Sequence, residues 1–191
     1  MKVRVPGIAR MFSIAVILAF AAGEAYAQTD YVAPGSDLDV PLDDYLNSAG
    51  PDAKLVKPGK LKIDKHRMIC GRRPTVMDPK FDSWGGAYPG YVILNPIMLK
   101  NLPTPVKLFI YAHECGHQFV GRNESAADCF GVKRGRRYGW LNEEGLEQVC
   151  EFVSKLKSDA EHEAGPARCK KIRICYKEAA PRASRGGSTT Q

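Results

Sequence analysis

Residues His113-Glu114-Cys115-Gly116-His117 constrain this chain more than any other stretch. Two histidines four residues apart share one face of a helix, so both imidazoles can reach a single metal ion. The glutamate between them is then placed to take a proton from metal-activated water. A catalytic metal also needs a third protein ligand and one open position, so a second element must bring that ligand to the same face. The flanks of the motif agree with a helix. Thr104 is suited to cap it with Pro105 in the first turn, and Val106, Phe109 and Ile110 extend an apolar face into the histidines. Gly121 is a natural stop.

The third ligand is sought beyond that stop. One group of zinc proteases places a histidine six residues after the second, but that position here is Asn123. Asn123 is instead suited to cap a second helix beginning at Glu124 and running through Ala126, Ala127, Phe130 and Val132. Glu124 and Asp128 stand four residues apart on it and share a face. At this point the chain resembles the gluzincin metallopeptidases, whose His-Glu-x-x-His helix precedes a helix bearing Glu-x-x-x-Asp, often Glu-x-x-Ala-Asp. The matching residues are His113, Glu114 and His117, then Glu124-Ser125-Ala126-Ala127-Asp128. More specifically, the chain is similar to small exported alphaproteobacterial proteins carrying His-Glu-Cys-Gly-His. That likeness runs roughly from Tyr91 to Cys175 and includes Ala127-Asp128-Cys129 and Gln148-Val149-Cys150.

The resemblance implies zinc as cofactor, with His113, His117 and Glu124 as metal ligands and Glu114 as general base. It also implies that Asp128 orients a ligand histidine from behind, by bonding a ring N–H of His113. The interval from His117 to Glu124 is shorter than in many gluzincins, which demands a tight reversal around Gly121 and leaves Asp128 open as a substitute ligand.

Residues 1–27 read as a secretory signal peptide: Lys2, Arg4 and Arg10 precede an apolar run from Met11 to Ala22, and Ala25-Tyr26-Ala27 offers a cleavage site before Gln28. The run is short for a membrane span, and an uncleaved anchor is the alternative. Cleavage removes three basic residues and Glu24, taking the formal charge from +7 to +5 and leaving a periplasmic or secreted protein. Six cysteines without a Cys-x-x-Cys pair favour up to three disulfides over a thiolate metal site. The preferred pairings are Cys115 with Cys129, and Cys150 with Cys169 or Cys175.

Residues 28–60, rich in Asp, Pro and Gly, read as an extended arm or linker with a short helix near 41–47. Residues 61–176 are expected to form one compact α+β zincin-like domain, with a small sheet beside the motif helix, then a ligand helix and a C-terminal helix. Strands are expected within 61–69 and 73–77, and most clearly at Tyr91-Val92-Ile93-Leu94. A strand in that last position commonly borders the cleft of zinc peptidases and pairs with extended substrate; an ordinary buried strand is the alternative. The third helix starts at Asn142 and repeats Val149, Cys150, Val153 and Leu156 at helical spacing. Pro166 reads as a break, and 177–191 as a disordered basic tail.

The expected function is an exported zinc-dependent peptidase acting on a peptide or protein substrate. The alternative is a non-catalytic zinc-holding envelope protein that binds peptides or proteins. Tyr138 and His162 are candidate donors to an oxyanion. Tyr111, Trp84 and Trp140 read as packing, and His66 as exposed or hydrogen-bonded. The cluster Lys133-Arg134-Gly135-Arg136-Arg137 reads as a solvated face, with an anionic surface as the alternative. A nucleic-acid partner is not expected in an exported, cysteine-rich chain, and no membrane span remains after cleavage.

Overall fold

A computed structural model describes residues 39–158 and 163–179. The expected leader, the arm before residue 39 and the tail from residue 180 lie outside the described residues. The described chain is a mixed α+β structure of six helices and a small mixed sheet. In chain order it runs α1 (Leu42–Ala49), β1 (Lys54–Val56), β2 (Lys62–Ile63), β3 (His66–Arg67) and β4 (Thr75–Met77). Then come β5 (Gly85–Tyr88), β6 (Tyr91–Leu94) and the short α2 (Pro96–Leu99). The remaining helices are α3 (Thr104–Val120), α4 (Glu124–Tyr138), α5 (Glu143–Ser154) and α6 (Gly165–Glu178).

Four strands form one sheet in the order β1-β4-β6-β5, with β4 and β6 parallel and the other pairs antiparallel. Tyr91-Val92-Ile93-Leu94 makes β6, flanked by strands on both sides, and all four residues are buried because both faces of the sheet are covered. Of the two readings of 91–94, the buried strand holds and the substrate-pairing strand does not: its backbone groups are already used, and the edge strands of the sheet are β1 and β5. Alternate β6 residues face opposite cores. Val92 and Leu94 join the main core with Phe109 and Ile110 of α3, whereas Tyr91 and Ile93 join Leu42, Tyr45 and Leu46 of α1.

Segment 39–60 is therefore more than an extended arm, since α1 covers one face of the sheet and β1 forms its edge. Two tyrosines hold α1 there: the Tyr45 hydroxyl donates to Asp78 at 2.7 Å, and the Tyr91 hydroxyl donates to the Val40 carbonyl at 2.9 Å. The expected strand within 61–69 is a two-stranded β2–β3 hairpin.

The motif helix α3 spans 17 residues and ends at Gly121, whose φ of 64° lies in the left-handed region. Its N-cap is Pro103 rather than Thr104; the Thr104 hydroxyl donates instead to Asp64 at 2.6 Å. Asn123 caps α4 by accepting from the Ala126 N–H, and Asn142 caps α5 by accepting from that of Gly145. Pro166 does not break the chain. It sits in the first turn of α6, where its missing N–H costs nothing, and the helix carries both Cys169 and Cys175.

Three disulfides join Cys70 to Cys115, Cys129 to Cys175, and Cys150 to Cys169. The last matches one of the expected partners of Cys150. Cys115 does not pair with Cys129, because Cys115 faces the loop before β4 while Cys129 faces α6. Glycine sets the spacing of the two site helices. A Cβ on Gly116 would lie 3.1 Å from the Ala127 Cα, and one on Gly131 would lie 3.3 Å from the Phe109 ring. Gly116→Val should push α4 off α3, costing about 1–3 kcal/mol of stability. Urea unfolding of the variant beside the wild type measures the effect.

Candidate metal centre

The periodicity of α3 puts His113 and His117 on one face, with ring centroids 4.7 Å apart and planes nearly perpendicular at 85°. Their Nε2 atoms converge to 3.0 Å. The turn at Gly121 then reverses the chain, so that Glu124 in the first turn of α4 returns to the same place. Its carboxylate oxygens lie 3.1 Å from His113 Nε2 and 3.3 Å from His117 Nε2. One donor atom from each of the three residues lies within 4.8 Å of the others, a group able to hold a metal ion. All three side chains are largely withdrawn from solvent.

Each histidine is held through its other nitrogen. His113 Nδ1 lies 2.9 Å from Asp128 Oδ1, and His117 Nδ1 lies 2.7 Å from the Gly121 carbonyl. A carbonyl oxygen can only accept, so His117 Nδ1 carries the proton and a neutral His117 ring has its lone pair on Nε2, facing the shared centre. Behind Asp128 stands Arg168 of α6, whose Nε and Nη2 donate to the two carboxylate oxygens at 2.9 and 2.8 Å. Burial pushes the Asp128 carboxyl up, but hydrogen bonds from His113 and Arg168 outweigh it and hold the group below the usual carboxylate range. Burial likewise pushes His113 down, yet hydrogen bonds to Asp128 and Glu124 prevail and its pKa is pushed up to about 10.

Glu114 is half-buried and turns into a cleft of about 290 Å³ that also reaches His113 and Arg168. Trp84, edge-on to Phe152 at 5.1 Å, and Phe109 supply apolar walls. The structure thus brings together four of the residues read from sequence (His113, His117, Glu124 and Asp128) and sets Glu114 beside them. Asp128 is not a substitute ligand, because its carboxylate stands on the Nδ1 side of His113 and is occupied by Arg168. Tyr138 is 59% exposed and lines surface grooves that share no residue with the cleft, which removes it as an oxyanion donor. His162 lies outside the described residues. Tyr111 is buried in the main core.

No sequence pattern singles out Arg168. It lies 40 residues from Asp128, on a helix whose first turn holds the Pro166 that reads as a break, and no spacing rule links the two. Comparison of the chain with protein-family models, curated proteins and solved structures finds no match.

Asp128→Asn removes the carboxylate that faces both His113 and Arg168. It should cost about 3–5 kcal/mol in the metal-free protein, as expected when a buried ion pair loses one member. The wild-type contribution should depend on pH in two ways. The part from the lowered Asp128 group is complete above its ordinary value of 3.8 and is lost as pH falls through its depressed folded value. The part from the raised His113 group is complete below 6.5 and is lost as pH rises toward about 10. Urea unfolding of wild type and variant across that range should show both arms flattened by the substitution.

Proposed function

We propose that the protein is an exported, zinc-dependent peptidase of zincin-like build. The observation that carries this reading is the convergence of His113, His117 and Glu124 beside a cleft that also contains Glu114. Two imidazole nitrogens and one carboxylate suit zinc as a donor set, and the Asp128 and Gly121 contacts orient the rings for ligation. Zinc bound there would supply a Lewis acid that lowers the pKa of water and polarises a carbonyl. Export is supported by three disulfides, which persist in oxidising compartments. No described helix is long and apolar enough to cross a membrane.

The chain's own residues divide the work. Glu114 takes a proton from the attacking water as its oxygen bonds the scissile carbonyl carbon. It then delivers that proton to the amine nitrogen as the C–N bond breaks. The open side of β5 offers backbone groups to an extended peptide, and Ser83, Trp84 and Gly85 bring this edge to the cleft. Gly85 packs directly on Glu114: a Cβ there would lie 2.9 Å from Glu114 Cγ.

Metal analysis of the oxidised protein should find near-stoichiometric zinc, and His117→Ala should lose it. Glu114→Gln should retain zinc while peptidase activity falls roughly 10²–10⁴-fold, the usual range for removing a general base. Zinc retained with no activity in the wild type on any peptide library would favour the binding-only alternative. A folded wild type that neither contains nor accepts zinc would overturn both.

A further inference from the structure

Away from the cleft, five side chains form a continuous ladder: Arg73, Phe119, Phe130, Arg134 and Tyr138. The Arg73 guanidinium lies 4.7 Å from the Phe119 ring centroid, and Phe119 stacks on Phe130 at 5.4 Å and 18°. Arg134 lies over both Phe130 and Tyr138, at 5.8 and 5.5 Å. Phe130, Arg134 and Tyr138 recur every four residues, so one face of α4 carries most of the ladder. Its apolar tips reach solvent: Phe119 is 54% and Tyr138 59% exposed. Ile69, whose carbonyl accepts from Arg134, adds a third tip at 40%.

Two grooves, of about 590 and 330 Å³, flank the ridge of Arg134 and Tyr138. Arg67 lines the first, Lys133 and Arg137 the second, and no carboxylate lines either. Lys133 reaches Glu178 at 2.9 Å, but among the described residues no salt bridge engages Arg67, Arg73, Arg134 or Arg137. Exposed apolar tips set among cations are the signature of a surface that lies in a lipid headgroup layer.

We propose that this face docks the protein on an anionic lipid bilayer, with Ile69, Phe119 and Tyr138 entering the headgroup region and Arg67, Lys133 and Arg137 meeting lipid phosphates. A bilayer fits better than a single-stranded nucleic acid. Each ring of the ladder already has an arginine or phenyl partner, which leaves fewer free faces than a base-stacking platform presents. Phe119 and Tyr138 are still more than half exposed, which suits insertion among lipids. The cleft and the two grooves share no lining residue, so docking does not use the metal centre.

The test is cosedimentation of the chain from Gln28, which contains every described element, with phosphatidylcholine vesicles made with and without phosphatidylglycerol. Roughly tenfold preference for the anionic vesicles is expected, weakening as salt rises. The paired change Lys133→Glu and Arg137→Glu should abolish that preference. Phe119→Ser with Tyr138→Ser should weaken anionic-vesicle binding several-fold while leaving its dependence on salt unchanged. Both charge-reversed side chains lie at the surface, and an unchanged unfolding midpoint verifies the fold. Equal binding to both vesicle types overturns the proposal. So does a preference that survives the paired charge reversal, or binding to single-stranded DNA without binding to anionic vesicles.

Discussion

A single buried carboxylate ties the site together. Asp128, 2% exposed, meets His113 of α3 on one side and the fork of Arg168 from α6 on the other. Withdrawing those charges from water is costly, and the cost is offset only when every oxygen and N–H has a well-placed partner. Apolar packing alone would leave the His113 ring free to turn. The charged contact is directional, so it fixes both the ring and the distance between three helices. It works alongside the apolar face of α6, where Cys169, Ile172, Cys175 and Tyr176 join the main core.

The covalent links reinforce the same geometry. Cys115 follows Glu114, Cys129 follows Asp128, and Cys169 follows Arg168, so each disulfide begins beside a residue of the site or cleft. The bridges close sequence separations of 45, 46 and 19 residues. In the chain-entropy account a cross-link of this kind contributes about 2–4 kcal/mol by restricting the unfolded ensemble. A small domain that devotes interior volume to histidines and carboxylates has correspondingly less apolar core, and cross-links compensate for that.

What could be read from the sequence follows the range of the interactions. His113 and His117, and then Glu124 and Asp128, are each four residues apart, so helical periodicity alone predicts their shared faces. Gly121 and Asn123 announce the reversal between the two helices through local backbone chemistry. Cys150 with Cys169 is a short-range pairing and was within reach. Arg168 and the partners of Cys115 and Cys129 depend on how helices cross, which local pattern does not encode. The sheet order was hidden for the same reason: Tyr91-Val92-Ile93-Leu94 announces a buried strand, but not which neighbours occupy its two sides.

Gly85 and Gly86 have a role that local pattern conceals. Paired glycines weaken a strand, yet both residues belong to β5. Their role is the space they leave: Gly85 admits Glu114, and a Cβ on Gly86 would lie 2.6 Å from the Phe81 ring. The strand edge can therefore descend onto the motif helix until its backbone meets the glutamate. With a side chain at position 85, either the strand would rise or Glu114 would turn away, and the open edge and the carboxylate would no longer face the same cleft. The glycine is the local condition that sets an open strand edge and the Glu114 carboxylate on the same cleft.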